Sequence, residues 1–171
     1  MKQMINYGLT LAIICMVATG LLAIVNSFTK ARIEAQAQTE QDNSLKEIMP
    51  DAIRFEPVKT GEEINYYRVY GNANTLLGTA FKASAKGYSS VVETLVGMKT
   101  DDTITAIKII SQNETPGLGT RVTEPAFTGQ FKGQNIDNLQ LQAITGATIS
   151  SKAVIEPVKK KGLEVKQLNE K

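Results

Sequence analysis

The sequence predicts an α+β protein: an N-terminal transmembrane helix and helical stalk, then a single, mainly antiparallel-sheet domain with a C-terminal helix. Three observations carry this. Gln3 to Thr29 holds no charged side chain. The polar stretch that follows is rich in Ala, Gln and Glu, all good helix formers. Beyond Pro50 the apolar pattern breaks into strand-length runs of β-branched and aromatic residues, and helix patterning returns only near the end. Strands first and helices after point to α+β rather than to an alternating parallel fold.

The first element is the membrane anchor, residues 1–29. Tyr7 to Val25 is broken only by Thr10, Thr19 and two glycines. At a rise of about 1.5 Å per residue it covers roughly the 30 Å hydrocarbon core of a bilayer. Tyr7 and Phe28 stand near its ends, where aromatic rings settle at membrane interfaces. A buried core helix is the competing reading, but all 17 acidic residues lie beyond this stretch. A signal peptide would have a shorter apolar region ending at a small-x-small site. Cys15 is preceded by Ile13 and Ile14 rather than by the small residues a lipoprotein would want. The segment therefore reads as an uncleaved anchor. Lys2 precedes it while Lys30 and Arg32 follow, so the charge count alone favours, by one residue, the C-terminal part inside.

Residues 30–50 read as a solvated stalk that docks only at Leu45, Ile48 and Met49, and Pro50 stops it. Residues 51–171 form the domain. Its predicted strands are Ala52–Val58, Ile64–Tyr70, Leu76–Ala83, Val91–Met98 and Thr103–Ile110. Turn signals at Thr60-Gly61, Gly71-Asn72, Lys86-Gly87 and Asp101-Asp102 separate them. The last two strands form the best hairpin. A short helix is expected at Glu124–Phe131 with Thr123 as N-cap and Pro125 in its first turn. A final helix is expected from about Ile149 to Gly162, disturbed at Pro157.

Composition limits the chemistry. With no His, the Ser-His-Asp and Cys-His nucleophile pairs and any His-ligated metal are excluded. One Cys forms neither an internal disulfide nor a Cys-x-x-Cys pair. The charge balance, 19 basic against 17 acidic residues, is too even for a nucleic-acid surface. What remains is hydroxyls, carboxylates, amines, backbone groups and whatever a cofactor brings.

Two loops stand out. Asn113 to Arg121 (NETPGLGTR) follows a strand; it is either a Pro-Gly turn or a binding loop offering Glu114, Thr115 and free amides, with Leu118 as an apolar wall. Ala143 to Lys152 (AITGATISSK) leads into the last helix. Thr148, Ser150 and Ser151 could cap that helix, or the small residues and free N–H groups could receive an anion. The P-loop spacing and the strand–helix glycine motif are absent.

Thr145-Gly146-Ala147-Thr148-Ile149-Ser150-Ser151 resembles the (Ser/Thr)-Gly-Ala-Thr-x-(Ser/Thr) signature of the FMN-binding domain family. Members include the G subunit of the Rnf electron-transport complex and the C subunit of the sodium-translocating NADH:quinone oxidoreductase. Glu114 to Gly119 (ETPGLG) matches a second block of that family in the right order, and Gly87-Tyr88 a third, weaker one. Together with the single anchor, the resemblance spans nearly the whole chain, and the lack of a large insertion makes it more similar to the Rnf G subunit.

The resemblance implies covalent FMN, its phosphate joined to the Thr148 hydroxyl by a phosphoester that a flavin transferase makes. Thr145, Gly146, Ala147, Ser150 and Ser151 would then surround the phosphate and ribityl chain. Glu114, Thr115, Leu118 and Gly119 would flank the isoalloxazine. It implies no catalytic side chain and no metal, since redox chemistry belongs to the cofactor. The chain would be a redox subunit that relays electrons between ferredoxin and NAD in a complex coupled to Na⁺ or H⁺ movement, rather than a complete enzyme. Its partners would be the other subunits, the transferase and the bilayer of the cell's inner membrane, with the flavin domain outside the cytoplasm. One departure stands in the motif: the acidic residue the family carries six positions before the modified Thr is Gln142 here, and Asp137 is too distant to replace it. The alternative is an anchored extracytoplasmic binding or assembly domain without flavin; a serine or threonine hydrolase lacks any base.

Overall fold

The computed structural model describes residues 2–60 and 63–169. The chain divides into two compact units, Met1–Asp42 and Asn43–Lys171. Helix α1 (Lys2–Ile48) makes up the first unit and enters the second. Within it, Ile5–Lys30 is long and apolar enough to cross a membrane and buries none of its residues in protein. The hydroxyls of Thr10, Thr19 and Thr29 each donate to the carbonyl four residues back (2.9, 2.7 and 2.8 Å). Bonding inward in this way removes the cost of placing them in apolar surroundings.

The second unit is built on five strands: β1 (Arg54–Thr60), β2 (Glu63–Tyr70), β3 (Leu76–Lys86), β4 (Val91–Lys99) and β5 (Ile104–Ser111). They pair antiparallel in chain order, a meander with no crossover. Each lies within three residues of its predicted bounds. The predicted Thr60-Gly61 turn falls on residues 61–62, outside the described residues. The β4–β5 hairpin closes with Asp102 at φ 63°, and the Asp101 carboxylate accepts the Thr103 N–H at 3.1 Å.

Both faces of the sheet are covered. On one face, Leu45, Ile48 and Met49 pack with Ala52 against Val69, Ala80 and Leu95. The Thr105 hydroxyl donates to the Ile48 carbonyl there, at 2.8 Å. The other face, lined by Phe81, Val92, Val96 and Met98, carries α3 (Thr148–Asn169) and the winding segment from Val122 to Ile136. β3 and α3 thereby form the frame of the domain.

Two helix expectations are corrected. The Glu124–Phe131 helix is a single turn, α2 (Pro125–Thr128), flanked by 3₁₀ turns at Gly119–Thr123 and Gly129–Phe131. Glu124, not Thr123, occupies its N-cap, because the Thr123 hydroxyl is spent on the Thr120 carbonyl at 2.8 Å. The last helix runs on past Gly162 to Asn169, and Pro157 sits inside it. Ala153, Val154, Val158, Gly162 and Val165 form a buried stripe, so tertiary packing outweighs the missing Pro157 bond. Gly162 is a contact rather than a terminus: a Cβ there would lie 2.5 Å from the Ile136 side chain.

Candidate functional site

The two loops singled out in the sequence meet at the N-terminus of α3. They enclose a cleft of about 590 Å³, walled by Tyr88 from the β3–β4 turn, by Thr115, Leu118 and Gly119, and by Gly146 to Ser150. That volume falls in the range of small-molecule sites, roughly 300–1,000 Å³. Three segments distant in sequence supply its walls, which is why no single motif defines it.

Gly146 turns the chain into the helix at φ +83°, a left-handed conformation that disfavours any side chain. Ala147 is the last residue before α3 and offers no side-chain oxygen as a cap. The amides of Thr148, Ile149 and Ser150 have no intrahelical acceptor, and they present the positive end of the helix to the cleft. No charged side chain lines it among the described residues. An anion would therefore rest on backbone amides, as phosphates do at helix N-termini.

The signature hydroxyls divide by role. Ser151 is fully buried; its hydroxyl accepts the Ile144 N–H (3.0 Å) and donates to the Ala147 carbonyl (2.9 Å), fixing the turn. The Ser150 hydroxyl donates to Glu114 Oε2 at 2.5 Å. Thr145 lies outside the main cleft, in a shallow recess with Arg121, Glu124, Gln130 and Gln142. Thr145 and Thr148 are both exposed, but of the four only Thr148 borders the cleft with a hydroxyl that makes no hydrogen bond among the described residues.

Glu114 does not offer its carboxylate to the cleft as the sequence led us to expect. It is 3% exposed and sits behind the wall. Its oxygens accept the N–H groups of Tyr88 (3.1 Å), Ser89 (3.0 Å) and Ser90 (2.9 Å) besides the Ser150 hydroxyl. Burial works to raise its pKa, but the bonds from Ser150, Ser90, Ser89 and Tyr88 together outweigh it and hold it down at about 2. Gly87 and Gly119 make room for it, since a Cβ at either would come within 2.7 Å of Glu114 atoms.

Gln142 is exposed, and its backbone is clasped by Gln130: the Gln142 N–H donates to the Gln130 side-chain oxygen at 2.8 Å. Asp137 is far from the site, paired with Lys166 at 2.6 Å. Tyr88 and Ile149 are the cleft residues that sequence reasoning left out; the Gly87-Tyr88 block was the available signal. No group of His, Cys, Asp or Glu among the described residues is placed to hold a metal.

An antiparallel meander with a cleft of free amides at a helix N-terminus can receive the phosphate of a ligand such as a flavin mononucleotide. Comparison agrees: residues 87–161 match the family model of the FMN-binding domain, and residues 1–48 that of the RnfG N-terminal region. The chain is 33% identical to the G subunit of the ion-translocating oxidoreductase complex of Methanosarcina acetivorans, across 91% of this chain and 90% of that one. It is 34% identical to the G subunit of the proton-translocating ferredoxin:NAD(+) oxidoreductase complex of Clostridium ljungdahlii, across 87% and 84%. The chain belongs to the family of G subunits of these ion-translocating oxidoreductase complexes. Its fold is shared with the crystal structure of Shewanella oneidensis NqrC, at 19% identity and a TM-score of 0.50 across 70% of this chain and 74% of that one. Among the described residues one helical stretch, Ile5–Lys30, is long and apolar enough to cross a membrane, as in a single-pass membrane subunit.

Proposed function

We propose that the chain is the flavin-bearing relay of a membrane-bound ferredoxin:NAD oxidoreductase complex that moves Na⁺ or H⁺, and that Thr148 carries FMN through a phosphoester. The observation that carries the site is the Thr148 hydroxyl, exposed and unbonded at the edge of a cleft that presents free helix amides. FMN supplies the electron chemistry when bound. The protein's residues place it: the first-turn amides of α3 receive the phosphate, Gly146 and Ala147 leave space for it, and Tyr88, Leu118 and Ile149 give apolar walls to a flat ring. A cleft without a cationic side chain holds a phosphate weakly, which is a physical reason for a covalent tether.

The residues 1–29 anchor, 30–50 stalk and 51–171 flavin domain then act as one subunit, with the domain on the extracytoplasmic side of the inner membrane. A flavin transferase would join the Thr148 oxygen, as its proton leaves, to the flavin-side phosphorus of a flavin dinucleotide, whose phosphoanhydride bond breaks and whose nucleoside monophosphate half leaves. Gln142 favours a second reading, an assembly domain without flavin, because the acid that the family presents to the transferase is replaced by a neutral side chain.

The test is to express the full chain with an active flavin transferase, denature it and look for flavin fluorescence on the polypeptide band. Wild type is expected to fluoresce, Thr148→Ala to lose the signal entirely, and Thr145→Ala to keep it. A dark wild-type band would sink the covalent reading.

A further inference from the structure

One buried carboxylate joins all three walls of the cleft. Glu114 precedes the loop that supplies Thr115, Leu118 and Gly119. It accepts hydrogen bonds from three successive amides of the turn that supplies Tyr88 (3.1, 3.0 and 2.9 Å), and from Ser150 in the first turn of α3 (2.5 Å). Its donors are neutral, and no ion pair reaches it among the described residues. Two of them, the Tyr88 amide and the Ser150 hydroxyl, belong to residues that line the cleft. Whatever occupies the cleft against those residues is separated from a full negative charge by the residues that bond it. Bulk water screens that charge poorly, because Glu114 is 3% exposed.

We infer that Glu114 is a positioning and charge-setting group for the flavin: it locks the three walls together, and its fixed negative charge holds the flavin's reduction potential down. The inference rests on the flavin reading above. The physics is Coulombic, since adding an electron beside a buried anion is disfavoured. Amide donors on the carboxylate moderate its field without cancelling it. The charge persists over the working pH range, because the same donors hold the carboxyl well below neutral pH. Glu114 touches no cofactor atom and is therefore not a catalytic residue.

The two partners of the Ser150–Glu114 hydrogen bond give opposite signs. Glu114→Gln removes the charge, and the midpoint potential of the bound flavin rises. Ser150→Ala keeps the charge and deletes a donor that offsets it, and the potential falls. Ser90→Ala is the mechanical control: its hydroxyl braces the same junction by accepting the Asn113 N–H at 2.7 Å, while its 3.4 Å approach to the carboxylate is marginal. This variant lowers Tm and moves the potential far less than Ser150→Ala does.

The measurement is a spectroelectrochemical titration of the full chain, matured with flavin transferase and solubilised, alongside the Tm of the flavin-free form. No rise in Glu114→Gln, or equal shifts in Glu114→Gln and Ser90→Ala, overturns the inference. If Glu114→Gln does not fold, Ser150→Ala decides: a fall supports the charge-setting role, and a rise or no change overturns it. Fluorescence of the denatured wild-type band tests the covalent reading separately. If that band is dark, the same titrations are run on FMN added to and bound by the chain, and a chain that binds none overturns both.

Discussion

The two ends of α3 use charge in opposite ways. At its N-terminus the buried Glu114 carboxylate is held by neutral amides and by the hydroxyls of Ser150 and, more weakly, Ser90. At its C-terminal end Lys166, part-exposed, is bonded to Asp102 at 2.9 Å and Asp137 at 2.6 Å. Each sign suits the helix dipole at its own end. The C-terminal cluster pairs its charges with one another at the surface, where pairs are screened and add little. The N-terminal arrangement keeps its anion unneutralised and ties it to a cleft. A carboxylate bonded by loop amides also leaves the helix amides of Thr148 and Ile149 free, so this end can both hold a ligand and bias it.

Breaking the N-terminal end should have the largest effect. A Cβ added at Gly119 would lie 2.7 Å from Glu114 Cβ and 2.8 Å from Ser150 Oγ, and both neighbours are buried and bonded. Gly119→Ala is expected to cost about 1–3 kcal/mol by overpacking and to lower flavin loading with it, read by thermal denaturation and by fluorescence of the denatured band. Gly129→Ala is the contrast. Its φ of −65° suits any residue and a Cβ there meets nothing within 4 Å, so Tm should hold or rise slightly. Equal losses in the two variants would mean that the Glu114 junction is not specially tight.

This contrast also separates what was legible in the sequence from what was not. The strands and the last hairpin could be read because strand and turn chemistry are local: Val91–Met98 and Thr103–Ile110 with their Asp-Asp turn needed no distant partner. The C-terminal half of α3 was misread because local signals stood in for contacts. Pro157 and Gly162 are helix breakers on paper, yet the buried face from Ala153 to Val165 overrides the first, and the second is a close approach to Ile136. At the site, the motif residues could be located by spacing, but their roles could not. Ser150 and Ser151 look like equivalent caps in sequence, and only the fold turns one toward Glu114 and the other toward its own turn. Glu114 was legible as a motif residue and illegible as a buried one, because its donors lie 24 to 36 residues away.

The second effect is acid lability, and it belongs to the N-terminal end. The Glu114 pKa lies at about 2 in the folded chain against 4.5 for an unperturbed carboxyl. A depressed folded pKa contributes stability that is fully present above the unfolded value and lost as pH falls from 4.5 toward 2. Tm of the flavin-free chain should therefore fall more steeply below about pH 4.5 in wild type than in Glu114→Gln, and the gap between them should narrow with acidification. Parallel acid limbs would show that Glu114 is not held ionised by its donors.

The smallest effect belongs to the other end of the helix. Hydrogen bonds to Asp137 and then Asp102 raise the Lys166 pKa above its ordinary 10.5. A raised folded pKa gives stability that is complete below the unfolded value and lost as pH climbs through the folded one, so this cluster shapes only the alkaline limb. Lys166→Met is expected to lower Tm by roughly 1–3 °C at neutral pH, less so in high salt, where an exposed cluster is screened. Flavin loading, flavin potential and the acid limb should be those of wild type. The helix rises about 1.5 Å per residue, which puts the two ends roughly 30 Å apart, well beyond the ~10 Å reach of an exposed charge at ordinary salt. A flavin potential that moves with Lys166 would mean that the ends are coupled through the packed stripe of α3, and the division of charge between them would have to be redrawn.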